Sequence, residues 1–255
     1  MPPDHPPLSA VLITLNCAKP LAAALDTLGF CDEVLVVDSG STDGTVELAR
    51  ARGARVLQAP WRGFGPQKQF AVEQAAHDWV LCIDSDERIS PGLRAAIAAT
   101  LAAPACAAYA FPRCNRFMGR YLRHGEGYPD WSLRLFDRRR ARWSDDAVHE
   151  KVLSAGPVGR LAGDLLHDSA ETLESYLAKQ DRYTTLAAQQ LAAAGRGAGL
   201  ARLFLSPVVR FLKFYVLRRG FLDGWPGLVH ILIGCRNSYA KYAKLRRLTQ
   251  PGRLR

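Results

Sequence analysis

The sequence predicts an α/β protein built on a mostly parallel sheet with helices on both faces. Three observations carry that expectation. Strand-like and helix-like segments alternate four times in the first hundred residues. The strand-like segments are continuous apolar runs, as expected of strands buried on both sides. The chain has 255 residues, 48% hydrophobic and 23% charged, which suits one large core or one domain with an extension.

The elements follow in order. "LSAVLITLN" (residues 8–16) is short, apolar and β-branched and reads as a buried strand. "LAAALDTLG" is rich in Ala and Leu and stops at Gly29, as a helix does. "EVLVVDSG" is a second strand, and "DGTVELARARGA" a helix capped by Thr42 or Asp43 and stopped at Gly53. "RVLQAP" is a third strand and "PQKQFAVEQAAHD" a third helix. "WVLCID" is a fourth strand, followed by a helix that opens near Ser90 and Pro91. Sheets of this kind bind ligands beyond the C-terminal ends of their strands. Thr14, Asn16, Asp38 and Asp84 stand there.

After Ala105 the pattern changes. "AAYAFPRCNRF", "WSLRLFDRRR", "ARWSDDAVHEKVL" and "GRLAGDLLHD" read as strands and loops rich in aromatics, Arg and His. They predict an antiparallel extension of the same sheet, carrying a second substrate. Residues 171–195 predict a long helix. The expected division is therefore 1–105, 106–170 and 171–255.

Charge is unevenly placed. The net charge is +10, yet residues 199–255 hold twelve Arg or Lys and one acid, Asp223, while residues 1–198 hold 22 basic and 23 acidic residues. A neutral body carries a basic tail. The six cysteines show no C-x-x-C pair and no zinc framework, and read as buried apolar thiols in a reducing compartment. "MPPDHPPLSA" has neither the basic nor the apolar region of a signal peptide, so a cytoplasmic protein is expected.

The loop after the first strand, "LNCAKP", contains no glycine, and no G-x-x-x-x-G-K-[ST] occurs. A bound nucleotide would need its phosphates neutralised by a cation that carboxylates hold. "VLCIDSDE" offers such carboxylates. Residues two apart on a strand continuation point the same way, so Asp84 and Asp86 can reach one hydrated Mg²⁺ or Mn²⁺. A solvated acidic loop that caps the next helix has the same spacing. Asp38, in "VVDSGSTDGT", can accept from a base N–H or a ribose hydroxyl, and can equally organise a strand-to-helix turn.

Taken together, "VLITLN", "VLVVDSGSTDGT", "GFGPQKQFA" and "VLCIDSDE" resemble the family 2 inverting glycosyltransferases with the GT-A fold, over about residues 8–101. The resemblance implies that Asp38 contacts the base or ribose, that Asp84 lies near the ribose, and that Asp86 ligates the metal on the diphosphate. Lys68 matches a basic position close to the nucleotide, and Thr14 and Asn16 fit the uridine side. The sequence departs from the family at Cys17, where an acid usually follows the asparagine. "GYPDWSLRLFDR", "VHEKV", "LLHDS" with "SYLAKQDRYTTLAA", and "GFLDGWPGL" resemble a narrower group, bacterial glycosyltransferases of lipopolysaccharide-core and related cell-surface glycan assembly.

These resemblances imply a nucleotide-sugar-binding half (1–105), an acceptor-side half (106–170) and a helical extension (171–255). They also imply a UDP-sugar donor, a lipid-linked glycan acceptor and a single inverting displacement assisted by Mg²⁺ or Mn²⁺. One general base is needed. Asp130, Asp145, Asp146 and Glu150 are candidates. Glu150 in "VHEKV" is favoured, with His149 as its neighbour or a metal-side ligand, and Asp130 suits holding acceptor hydroxyls. Trp131 and Tyr128 suit stacking on a sugar.

In "GLARLFLSPVVRFLKFYVLRRG" the apolar residues fall at helical spacing, with Arg202, Arg210 and Lys213 on other faces. Charges interrupt it too often for a membrane span, and an in-plane helix on anionic lipid fits better. "RNSYAKYAKLRRL" predicts a second basic helix. Peripheral association with the cytoplasmic face of the inner membrane is expected. Two other readings remain: sugar transfer to polyprenyl phosphate, which needs no base, and a nucleic-acid-binding protein using the basic tail. Acids at the strand ends disfavour the second, so no nucleic-acid partner is expected.

Overall fold

Side-chain alternation explains why the strands read as continuous apolar runs. In β1 (Leu8–Thr14), Leu8, Ala10 and Leu12 enter one buried cluster while Val11 enters another. In β2 (Glu33–Asp38), Val36 joins the first cluster, and Leu35 and Val37 join the second. A sheet with a core on each face needs apolar side chains at both parities. The computed structural model describes residues 6–146, 150–169 and 172–249. The chain forms two units: residues 1–114 with 130–168, and residues 115–129 with 169–255. The segment 115–129, expected within the acceptor-side half, thus groups with the C-terminal helices.

The first unit starts with β1, α1 (Ala18–Leu25), β2, α2 (Thr45–Ala51), β3 (Arg55–Gln58), α3 (Phe64–Gln74), β4 (Trp79–Cys82), β5 (Glu87–Ile89) and α4 (Pro91–Ala102). The strands β3, β2, β1 and β4 lie side by side in that order, all parallel. Then follow β6 (Ala108–Phe117), the short β7 (Arg120–Tyr121), β8 (Asp130–Asp137), β9 (Ala141–Trp143), β10 (Val152–Ser154), β11 (Val158–Arg160) and β12 (Leu165–His167). Next to β4 the sheet turns antiparallel through β8 and β6 and continues to β12 and β5. This is the GT-A-type arrangement that the sequence predicts, a parallel half with an antiparallel extension. Strand β11 adds a parallel pairing to β6, and β9 and β10 form a separate ladder.

Three local details differ from expectation or sharpen it. Helix α2 is capped by Gly44 at φ 85°, not by Thr42 or Asp43, although Asp43 still accepts from the Thr45 N–H at 3.1 Å. Ser90 caps α4 as predicted, accepting from the Leu93 N–H at 3.2 Å. Residues 87–89, between the fourth expected strand and the helix that opens near Ser90, form β5, because β12 lies antiparallel beside them and supplies the missing backbone partners.

The second unit holds the β6–β7 hairpin end, α5 (Leu173–Ala193), α6 (Leu200–Phe211) and α7 (Gly224–Thr249). Helices α5 and α6 both pack on α7. Helix α6 carries Pro207 in its interior, runs into a π-helical segment at Leu212–Leu217 and ends at Arg219, φ 55°. Gly220 makes that corner possible: a Cβ there would stand 2.4 Å from Ile231 Cδ1 and 2.7 Å from the Phe214 carbonyl. The basic segment "RNSYAKYAKLRRL" lies within α7. Among the described residues no helix is long and apolar enough to cross a membrane.

Candidate active site

The first group of predicted residues gathers where β1 and β2 end. Thr14 and Asp38 are register partners on the two strands. Asp38 is fully buried, and its carboxylate accepts from Thr14 Oγ1 at 2.9 Å, from the Gly40 N–H at 2.9 Å and from the Ser41 N–H at 2.8 Å. Burial alone would raise its pKa, but the hydrogen bonds from Ser41, Thr14 and Gly40 outweigh burial and hold the carboxyl below the ordinary range. Asn16 is exposed at φ 49°, a backbone region that asparagine tolerates. Its Oδ1 accepts from the Thr42 N–H at 2.8 Å, and its own N–H donates to Ser41 Oγ at 2.8 Å. These residues thus build one turn, with Asp38 beneath it and Asn16 on its rim. A base or ribose that contacts Asp38 must share oxygens already engaged by the turn.

The second group is a chain of alternating charge. Glu150 Oε1 accepts from Lys68 Nζ at 3.0 Å, and Lys68 also lies 3.0 Å from Asp84 Oδ1. Asp84 Oδ2 accepts from Arg134 at 2.7 Å, and Arg134 lies 3.4 Å from Glu87 Oε1. Arg113 stands 3.7 Å from the same Glu87 oxygen and binds Asp130 at 2.8 Å. Acid and base alternate from Glu150 to Asp130, so each charge between those two ends has an opposite neighbour on either side. The links bring four predicted residues together: Glu150, Lys68, Asp84 and Asp130. His149 lies outside the described residues.

Local packing fixes the members of this chain. Lys68 is buried on α3 and its ammonium sits 4.8 Å from the centre of the Trp143 ring. The start of α3 lies close to the segment after β9: a Cβ on Gly65 would meet the Ser144 carbonyl at 2.3 Å and that of Asp146 at 2.7 Å. Trp143 donates its indole N–H to Cys82 Sγ at 3.3 Å, and burial pushes the Cys82 thiol up to about 11. Burial also works against the Asp84 carboxylate, but Arg134 and then Lys68 more than reverse it, leaving Asp84 well below the usual carboxylate range. Glu87 shifts the other way. Its complete burial raises it, with the Asp84 charge adding to the rise and Arg134 opposing it.

Asp84 and Asp86 therefore have different surroundings. The Asp84 N–H donates to Glu87 Oε2 at 3.0 Å while the Glu87 N–H donates to the Asp84 carbonyl at 3.0 Å, closing a turn. Glu87 is the buried anchor of that turn. Asp86 lies on its outer side, and its Oδ2 is 3.3 Å from His167 Nε2, with both side chains partly exposed. The Asp168 N–H donates to the Asp86 carbonyl at 2.9 Å, which ties the two segments. Sequence reasoning assigned no role to His167, Arg134 or Arg113. One of them carries a local signal: His167 follows the apolar pair in "LLH" much as Asp84 follows "VLCI".

Residues 9–156 match the family model described as "Glycosyl transferase family 2". A lipopolysaccharide core biosynthesis glycosyltransferase, LpsC of Rhizobium meliloti (strain 1021), is 31% identical over 252 residues, 93% of each chain. The uncharacterized glycosyltransferase RT0209 of Rickettsia typhi is 30% identical, over 96% of this chain and 89% of that one. Among solved structures, residues 1–349 of S. aureus TarS in complex with UDP-GlcNAc align with a TM-score of 0.49 at 15% identity, covering 98% of this chain and 93% of that one. The match of the family model over most of the chain, with full-length relatives at 30% identity or more, shows that this chain belongs to glycosyl transferase family 2.

Proposed function

We propose that the chain transfers a sugar, with inversion, from a UDP-sugar to a lipopolysaccharide-core or other lipid-linked cell-surface glycan, assisted by Mg²⁺ or Mn²⁺. The observation that carries the donor side of this reading is the Asp86–His167 pair at 3.3 Å beyond the strand ends. A carboxylate oxygen and an imidazole nitrogen suit Mn²⁺, and the oxygen suits Mg²⁺. Among the described residues no cluster of three or more such ligands occurs. Two protein ligands fit an ion that completes its shell with water and the donor's diphosphate oxygens. When bound, the ion supplies positive charge against the departing diphosphate.

The chain's own residues do the rest. Asp84, aimed by Lys68 and Arg134, accepts from a ribose hydroxyl. The turn of Thr14, Asn16 and Asp38 shapes the uridine side. Asp130, held by Arg113, accepts from acceptor hydroxyls. Glu150 takes the proton of the attacking hydroxyl as the new bond to the anomeric carbon forms and the bond to the diphosphate oxygen breaks. Lys68 aligns Glu150 with Asp84 from between them. The likeness to LpsC supports a lipopolysaccharide-core acceptor. A lipid-linked acceptor brings the enzyme to the inner membrane's cytoplasmic face, and the basic residues of 199–255 support peripheral attachment there.

The test is sugar transfer from a panel of UDP-sugars to lipopolysaccharide-core acceptors, with Glu150→Gln beside the unaltered chain. Glu150→Gln is expected to cost about 10²–10⁴-fold in turnover with little change in UDP affinity. Full turnover by Glu150→Gln onto polyprenyl phosphate instead would select the acceptor that needs no base.

A further inference from the structure

Helix α6 is built inside out. Leu200, Phe204, Leu205, Val208, Val209 and Leu212 are each 51–60% exposed. At about 100° per residue they spread over about half the helix circumference. The inward side holds the buried Leu203 together with Arg210, which is ion-paired to Glu126 and donates to Ser238 Oγ at 3.2 Å. A helix packed on its own domain normally shows the reverse polarity. Beyond α6, Leu217 is 78% exposed and Trp225 66% exposed. An apolar surface of this extent marks an interaction site.

Charge identifies what covers it. Arg202 and Lys213 flank the apolar half, and Arg218 and Arg219 follow it. An open groove of about 720 Å³ between α6 and α7 adjoins this face and is lined by Arg202, Lys213 and Lys241 together with Leu205, Val209 and Tyr242. The single acid of residues 199–255, Asp223, is buried and accepts from the His124 N–H at 2.8 Å, so it does not offset these cations at the surface. Apolar side chains bordered by cations, with an aromatic Trp225 at one end, match the boundary between lipid headgroups and acyl chains.

We propose that α6 and the turn after it are the membrane-insertion element, lying in the plane of an anionic bilayer, with the Phe204–Val208 face among the acyl chains and Arg202, Lys213 and Lys241 against lipid phosphates. The inference rests on the peripheral-membrane reading above and makes it specific: attachment needs insertion as well as charge. Insertion contributes per buried apolar group, whereas charge alone fades with salt.

The experiment is co-sedimentation of the full chain with phosphatidylcholine vesicles, with and without phosphatidylglycerol. The variants are Phe204→Glu/Val208→Glu and Arg202→Glu/Lys213→Glu, all at exposed positions, with circular dichroism as the check on fold. The unaltered chain is expected to sediment with the anionic vesicles, and Phe204→Glu/Val208→Glu to lose about tenfold or more in partitioning at both low and high salt. Arg202→Glu/Lys213→Glu is expected to lose mainly at low salt. Unchanged partitioning of Phe204→Glu/Val208→Glu overturns the insertion surface and leaves a purely electrostatic attachment. An unaltered chain that ignores anionic vesicles overturns both membrane statements. Self-association abolished by Phe204→Glu/Val208→Glu, without vesicle binding, makes the face a contact between copies and overturns the proposal. UDP affinity, read on the same samples, tests the donor site independently of all these outcomes.

Discussion

The two units solve opposite problems with the same residue types. In the first, apolar side chains face inward on both sides of the sheet, and charges that lie deep are paired in alternation from Glu150 to Asp130. In the second, the buried cluster is small, built on Ala188 of α5, Ala198 of the connection to α6 and Leu245 of α7, while the large apolar side chains of α6 face outward. The first unit therefore carries its stabilisation within itself. The second leaves the large apolar side chains of α6 exposed. Burial of a Phe or Leu contributes about 1.5–3 kcal/mol, so the α6 face holds a substantial unused driving force.

The sharpest way to break this contrast is at Lys68, the ammonium shared by Asp84 and Glu150. Lys68→Met leaves two carboxylates without their common partner in a largely buried place. A loss of about 3–5 kcal/mol in urea unfolding is expected. A loss below about 1 kcal/mol would mean that the chain of charges is solvated and contributes little.

Acid unfolding gives a smaller and more graded effect. Asp38 and Asp84 have folded-state pKa values below their unfolded values of about 3.9. Such groups stabilise the fold fully above the unfolded pKa, and the contribution is lost as pH falls through the folded one. Glu87 is raised and acts with the opposite sign, favouring the folded chain as it becomes protonated. The expected outcome is a net loss of stability on going below about pH 4, with a shallower slope in Asp38→Asn. Equal slopes in the two proteins would remove Asp38 from the account.

The smallest effect sits on the other side of the comparison. Phe204→Ala removes a large aromatic side chain, yet one that is 60% exposed. Its unfolding free energy in the absence of lipid is expected to stay within about 0.5 kcal/mol of the unaltered chain. A loss of several kcal/mol, as from a core phenylalanine, would show that the face is covered within the chain itself.

These differences also mark how much of the molecule is legible in its sequence. The parallel half is legible because two-sided burial writes itself as continuous apolar runs, and the strand ends then locate Thr14, Asp38 and Asp84. The alternating charges are less so. Arg134 reaches Asp84 across fifty residues because β8 runs antiparallel beside β4, and no local spacing encodes that pairing. His167 meets Asp86 through the β12–β5 pairing for the same reason. In α6, helical spacing showed an apolar face but not its direction. Which half turns outward depends on Arg210 finding Glu126 and Ser238, both far along the chain.

The central claim is that Asp86 and His167 hold the metal-bound diphosphate of a nucleotide donor, while Asp84, positioned by Lys68 and Arg134, faces its ribose. Titration calorimetry of UDP with and without Mn²⁺ tests it most directly, on the unaltered chain, Asp86→Asn and His167→Ala. The account predicts binding that Mn²⁺ strengthens, and about a tenfold to hundredfold loss of that gain in each variant. UDP binding of equal strength with and without Mn²⁺, unchanged in both variants, would contradict it.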